Sequence, residues 1–337
     1  MLKVGILGAG SIARTMAKTL RGMQARDGSA SLYAIASRDG ERARTFAAAE
    51  GAQRAYGSYE ALLQDEQVDL VYIATPHSHH AEQIELCVAH GKPVLCEKAF
   101  TGNARQAERA LRLARARGVF VTEAIWTRYM PARRMIDDLI ASGAIGRPRF
   151  LTANLGYAME DKPRIRLPEL AGGALLDLGV YTLNFAAMVF GTDVARMESS
   201  AAMLDTGVDH TESVSLYYRD GRVAQLTSTA LVDTDRHCVV YGDEGFLTVD
   251  NVNNPAVIAV YDRSRSGVPV RTLPVPKQIT GYEYEVEACA RALAAGEKEC
   301  PEMPHEETLR IMRQMDALRR AWGMRYPFDE ETEEGEK

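Results

Sequence analysis

An apolar run, Val94-Leu95-Cys96, ends abruptly in Glu97-Lys98-Ala99-Phe100, and a polar, Ala/Arg-rich segment begins after Thr101. The pattern reads as a buried strand emptying into a loop with a charged pair at its carboxyl end. Ligands sit at that end in open α/β sheets, so Lys98 is either a surface charge or the working group of a site. A second constellation lies in Gly172-Gly173-Ala174-Leu175-Leu176-Asp177-Leu178-Gly179-Val180-Tyr181. The paired glycines predict a turn close to a ligand. On a helix, Asp177 and Tyr181 fall at i and i+4, on one face. A buried carboxylate one turn from a phenol is costly without a partner, and a lysine arriving from another domain would supply one. The same residues also fit a helix-start cap (Asp177) and a core-filling ring (Tyr181), and spacing alone leaves both readings open.

The elements that must position Lys98 are legible upstream. Lys3 to Leu7 is a short apolar strand running into Gly8-Ala9-Gly10-Ser11-Ile12-Ala13, a G-x-G-x-x-A that opens a helix. Gly8 allows the tight turn, Gly10 lets backbone approach a pyrophosphate, and Ala13 lets helix and strand pack closely. The N–H groups of Ser11, Ile12 and the rest of the first turn then face the phosphates. After the second strand, Ser31 to Ala36, an NAD-selective fold places Asp or Glu; this chain has Ser37-Arg38. A hydroxyl and a guanidinium suit a 2′-phosphate. This favours NADP over NAD; the alternative leaves Arg38 exposed and gives Asp39 the acidic role. The apolar strand Leu70 to Ala74 opens into Thr75-Pro76-His77-Ser78-His79-His80. Three imidazoles suggest a metal, but no carboxylate or thiolate stands nearby at ligand spacing, so no metal site is expected. Thr75, Pro76 and His80 are instead expected on a loop touching the cofactor. Strand and helix alternate as far as Val119 to Glu123, which predicts a parallel, doubly wound sheet over 1–123.

From 124 the alternation stops. Eight β-type segments follow: 149–156, 194–204, 212–218, 223–230, 237–241, 245–250, 256–262 and 270–273, several joined by tight turns as in an antiparallel meander. Helices are expected at 132–142, 282–295 and 305–322, the last two covering a sheet edge or the domain junction. The expectation is therefore α/β plus α+β: a Rossmann domain (1–123), a domain with an open, mostly antiparallel sheet and helices on one face (124–328), and an acidic, disordered tail (329–337). An open sheet face would expose apolar surface, so a homodimer or higher homo-oligomer through that sheet is expected.

Composition narrows the function classes. The 337 residues are 46% hydrophobic and 26% charged, ordinary for two globular domains. A net charge of −6 gives no basic excess to attract nucleic acid or an anionic membrane. No apolar run approaches the roughly 18 residues of a membrane helix. Leu2 to Leu7 is too short for a signal peptide. Five cysteines without a CxxC pair suit unpaired thiols in a reducing cytoplasm, as small buried hydrophobes.

Taken together, Gly8 to Ala13, Thr75-Pro76 with His80, Glu97-Lys98, and Gly172-Gly173 through Asp177-Leu178-Gly179 resemble the Gfo/Idh/MocA oxidoreductases over nearly the whole chain. Glu123 to Tyr129 and the ending in Tyr181 are similar to the dimeric dihydrodiol dehydrogenase and NADP-dependent D-xylose 1-dehydrogenase branch. The resemblance implies NADP, or NAD, bound across the first domain, with Glu97 and Lys98 near it and the nicotinamide facing a pocket between domains. It implies that Lys98, Asp177 and Tyr181 surround the reacting carbon–oxygen bond of a sugar, polyol or diol, and that Trp126 and Arg128 line the pocket. Tyr181 would exchange the proton. A free phenol titrates near pH 10, and a neighbouring ammonium such as Lys98 brings it closer to working range. Asp177 would hold Lys98 or a substrate hydroxyl. Where the family has Glu-Lys-Pro this chain has Ala99, which argues against a cis peptide after Lys98. Two other readings fit the same fold: a glycoside-cleaving or epimerising enzyme that recycles tightly bound NAD, and a non-catalytic dinucleotide sensor. Ser37-Arg38 argues against the first, and Lys98, Asp177 and Tyr181 together argue against the second.

Overall fold

The computed structural model describes residues 1–264 and 267–330. The chain packs as two compact units, one of Met1–Tyr129 with Gln278–Arg313, the other of Met130–Lys277 with the chain from Gln314. A second domain of 124–328 was the expectation from sequence; residues 278–313 instead return to the first unit.

The first unit is built on six parallel strands, β1 (Leu2–Leu7), β2 (Ala30–Ala36), β3 (Arg54–Tyr56), β4 (Leu70–Ile73), β5 (Val94–Glu97) and β6 (Val121–Ala124). Their order is β3-β2-β1-β4-β5-β6. Strands covered on both faces by helices read as unbroken apolar runs; β4, Leu-Val-Tyr-Ile, is buried throughout. The helix Ala104–Arg117 shows the local logic. Asn103 caps it by accepting from the Gln106 N–H, Gly118 ends it in the left-handed region, and Ala107, Ala110, Leu111 and Ala114 form its buried stripe. The order reverses between β1 and β4, and the crevice at the carboxyl ends of the strands there is where such sheets bind ligands. The exposed edge of β6 is partly closed by the returning segment: Val121 N donates to Lys298 O at 3.1 Å, and His305 Nε2 lies 2.7 Å from Val121 O.

The second unit holds eight strands: β7 (Pro148–Gly156), β8 (Val194–Met203), β9 (Asp209–Tyr218), β10 (Val223–Thr229), β11 (Cys238–Gly242), β12 (Gly245–Val249), β13 (Val257–Asp262) and β14 (Arg271–Pro274). All eight fall at the expected places. The order, β14-β13-β12-β11-β7-β10-β9-β8, departs from a meander, because β7 inserts between β11 and β10. β7 and β10 run parallel; the other pairings are antiparallel. On one face the helix Val180–Phe190 buries Tyr181, Leu183, Phe185 and Ala186. On the other, Phe150, Tyr241, Phe246 and Tyr261 form a row of ring contacts across β7, β11, β12 and β13, with centroids 5.7, 5.8 and 4.5 Å apart. Contrary to the expectation that no apolar run is long enough, the stretch Pro168–Phe190 meets the length and hydropathy of a membrane helix, but 83% of its apolar window is buried inside the protein, as in a core helix. Of the tail expected from 329, Asp329 belongs to the short helix Pro327–Glu330 and accepts from Arg319 Nη1 at 2.8 Å; residues 331–337 lie outside the described residues. All five cysteines are buried and unpaired.

Candidate functional site

The glycine turn after β1 has the shape a dinucleotide needs. Gly8 sits at φ +102, and a Cβ there would lie 2.7 Å from Ala74 O, so no other residue fits without movement. A Cβ on Gly10 would meet nothing within 4 Å, which leaves an open surface above the backbone. The helix Ser11–Arg26 starts there with no side-chain cap and no acid in its first turn, so its first N–H groups are available to an anion. Arg42 Nη2 donates to Ala9 O at 3.0 Å and braces the turn. These residues fit a pyrophosphate.

At the end of β2, Asp39 is committed to capping the helix Gly40–Glu50, accepting from the N–H groups of Glu41 and Arg42. Ser37 is buried, and its Oγ accepts from Asp39 N at 3.3 Å. Arg38 is exposed, and its charge reaches both His79 and Tyr59, as Arg42's also reaches Tyr59.

The ends of β4 and β5 are locked together. Glu97 is buried, accepts from the Tyr72 hydroxyl, and accepts from the N–H of Lys98 at 3.2 Å. His80 is fully buried, with Nδ1 2.9 Å from Ala99 O and Nε2 2.9 Å from Thr75 O. Burial holds its pKa down to about 4, so the neutral ring donates through one nitrogen. His80 and Glu97, the residues expected near a cofactor, are both buried and position the Thr75-Pro76 and Lys98-Ala99 loops. Thr75 Oγ1 donates to Gln83 Oε1 at 2.7 Å. The Lys98–Ala99 peptide is cis despite the missing proline. Lys98 itself is half-buried. Among the described residues no group of three or more His, Cys, Asp or Glu is placed to hold a metal.

Glu285, fully buried on the helix Glu283–Ala294, went unnoticed in the sequence. Burial pushes its carboxyl well up, and the charge of Glu97 adds to this. Tyr72 was missed as well, although a phenol in the middle of an apolar strand needs a buried acceptor. Glu123, at the end of β6, is fully buried and pushed up to about 7 by desolvation. A carboxyl whose folded pKa exceeds its unfolded value, 4.5 here, stabilises the fold while protonated and loses that contribution as pH rises toward 7. Glu123→Gln should therefore flatten the decline of Tm between about pH 4.5 and 7. Parallel Tm curves for the two proteins would contradict this.

The two residues expected to line a substrate pocket each have a close partner in the first unit. Trp126 stacks on Tyr282, with centroids 4.4 Å apart and planes 12° from parallel, so one of its faces is already covered. Arg128 pairs with Glu307 at 3.0 Å, and its side chain is 9% exposed; this tie fastens the segment 126–128 to the helix His305–Ala321.

In the second unit, residues Leu175–Gly179 form a π-helical turn leading into the helix Val180–Phe190, the widened geometry often found at functional sites. It replaces the regular i, i+4 spacing expected of Asp177 and Tyr181. Both are buried. Asp177 lies inside the turn, so it is not a helix-start cap. Its Oδ2 accepts from Arg164 Nη2 at 3.1 Å, a partner within its own unit that sequence reading missed. The Gly172-Gly173 turn packs closely against protein: a Cβ on Gly172 would lie 2.5 Å from Ile165 O, and Tyr326 donates to Gly172 O.

The parallel six-stranded sheet with its glycine turn, followed by a large mixed sheet, defines a Rossmann-type dinucleotide-binding protein with a second α+β unit. Residues 2–125 match the oxidoreductase family with an NAD-binding Rossmann fold, and residues 134–248 match the GFO/IDH/MocA C-terminal domain. The chain belongs to the Gfo/Idh/MocA oxidoreductase family and carries an NAD(P)-binding domain. It is 35% identical to trans-1,2-dihydrobenzene-1,2-diol dehydrogenase of Danio rerio over 332 residues, 97% of this chain and 99% of the relative. It is 33% identical to the Homo sapiens protein of that name, again over 97% and 99% of the two chains. A 3-ketoreductase from Actinomadura kijaniata, solved with NADP and TDP-benzene, superposes with a TM-score of 0.82 at 29% identity, covering 95% of this chain and 97% of the other. An aldose-aldose oxidoreductase from Caulobacter crescentus shares the fold, with a TM-score of 0.83 at 23% identity and coverage of 95% and 97%.

Proposed function

We propose that this enzyme transfers hydride between NADP and a hydroxyl or carbonyl carbon of a sugar, polyol or trans-dihydrodiol. The observation that carries the reading is Lys98, half-buried at the carboxyl end of β5 on a loop fastened by Glu97–Tyr72 and His80–Ala99. A lysine so held, in a sheet whose glycine turn fits a dinucleotide, is built to stabilise charge at the reacting oxygen. Relatives named for dihydrodiol oxidation and a neighbour named for keto reduction support this substrate class.

Gly8, Gly10 and the N–H groups of Ser11 and Ile12 would hold the pyrophosphate, Ser37 and Arg38 the 2′-phosphate, and Thr75-Pro76 the inner ribose and nicotinamide. The cofactor supplies or accepts the hydride. Tyr181 takes the hydroxyl proton during oxidation and returns it during reduction. Lys98 hydrogen-bonds the substrate oxygen as negative charge gathers there, and Asp177 orients a neighbouring substrate hydroxyl. The aromatic row on the outer face of the second sheet supports assembly with a second copy.

Initial rates with NADP and NAD on aldoses, inositols and dihydrodiols test the reading. Arg38→Ala should raise the KM for NADP by about tenfold, the loss of one charge-assisted contact, and leave that for NAD nearly unchanged. Equal weakening of both would contradict the 2′-phosphate assignment.

A further inference from the structure

Two carboxyl groups with no part in the proposed chemistry lie against the turn that carries Asp177 and leads to Tyr181. Asp209 and Glu212, both on β9, are 0% and 2% exposed. Asp209 Oδ2 accepts from the N–H of Leu175, the first residue of the π-helical turn, at 2.7 Å. A Cβ on Gly173 would lie 2.2 Å from Asp209 Oδ1, and one on Gly179 would lie 2.5 Å from Glu212 Oε1. The glycines just before and at the end of this turn thus make the room the two acids occupy. Asp209 Oδ1 and both Glu212 oxygens are buried without a well-formed hydrogen bond, and the Ser228 hydroxyl, a neutral donor beside Glu212, does not supply the countercharge that two ionised acids would need. One proton on Glu212, directed at Asp209 beside it, supplies a donor.

We propose that Asp209 and Glu212 share a single proton at working pH and act as positioning residues, fixing the Leu175–Gly179 turn and through it Asp177 and Tyr181. Burial pushes both carboxyls upward, and the charge of Asp209 pushes Glu212 further. The other groups facing the pair are Arg319, which favours the charge on Asp209, the Tyr326 phenol, and Ser228 on β10 beside Glu212. Arg319 is itself paired with Asp316 and Asp329, each at 2.8 Å. It therefore leaves the pair short of the countercharge that two ionised acids would need. When the shared proton leaves at high pH, two buried like charges repel and the turn loses its seat.

The proposal rests on Tyr181 being the proton-transfer group, so the test includes a readout independent of activity. Infrared spectra of the full-length protein at neutral pH should show a protonated-carboxyl band that is lost in Glu212→Gln. The glutamine amide can donate to Asp209 as the protonated acid does. Glu212→Gln should therefore keep near-wild-type kcat at neutral pH and lack the alkaline fall in kcat caused by the pair. Glu212→Ala should lower kcat by about 10²-fold, the effect of a misplaced reacting group, with the Kd for NADP unchanged. Should Glu212→Ala fail to fold, the spectrum and pH profile of Glu212→Gln decide. No band lost in Glu212→Gln overturns the shared proton. An unchanged kcat in Glu212→Ala, or Glu212→Gln as impaired as Glu212→Ala, overturns the positioning role. A wild-type enzyme with no NADP-linked turnover overturns the reading of Tyr181 and the positioning role with it, while the infrared band still reports on the pair.

Discussion

Lys98→Met should cut turnover by about 10²–10³-fold, the scale seen when one donor to a developing oxyanion is removed, while NADP affinity stays close to wild type. The separation follows from where the binding energy sits. The residues that fit a pyrophosphate, at the Gly8–Gly10 turn and the start of the helix Ser11–Arg26, lie at the end of β1, not of β5. Methionine keeps the length and apolar stem of lysine and removes only the ammonium. The loop itself stays tied, because Glu97 accepts from the backbone N–H of Lys98 and His80 Nδ1 holds Ala99 O. Initial rates and fluorescence titration with NADPH would check this. Near-normal turnover in the variant would remove Lys98 from the mechanism, and loss of cofactor binding with turnover preserved at saturation would make it a cofactor ligand instead.

Tyr181→Phe should be comparably severe, lowering kcat by about 10²–10⁴-fold, the range for a lost general acid–base group. The ring is 6% exposed in the core-facing helix Val180–Phe190, so phenylalanine retains its packing and Tm should barely move. The pH profile carries the sharper evidence: whatever limb of kcat reports proton exchange at the phenol should disappear with the hydroxyl. A variant that keeps both its rate and its wild-type pH profile would assign the proton transfer elsewhere.

The parts of this molecule that are local in sequence were legible, and the parts set by distant segments were not. The glycine turn could be read because G-x-G-x-x-A after a strand meets a steric demand within six residues. The eight strands of the second unit could be read because their apolar residues alternate. Their order could not: the placement of β7 between β11 and β10 is a long-range choice that leaves no local trace. The same holds for side-chain partners. Arg128 finds Glu307 and Trp126 finds Tyr282 only because residues 278–313 fold back onto the first unit. Asp177 shows a nearer failure. A buried carboxylate demands a partner, and the demand was read correctly, but Arg164 in the short turn Pro163–Arg166 meets it at 3.1 Å. His80, expected from its place after a strand end to lie near a ligand, also ties the loop after β5 through two carbonyl oxygens, a contact with no local sequence trace.

The most direct test of the central claim follows nicotinamide absorbance in the purified enzyme, alone and then with NADP and a panel of aldoses, inositols and dihydrodiols. Hydride transfer to exchangeable NADP predicts no nicotinamide signal before addition and steady formation of NADPH with at least one member of the panel. Nicotinamide that survives purification, with substrate consumed and no net NADPH formed, would contradict it and identify an internally recycled cofactor.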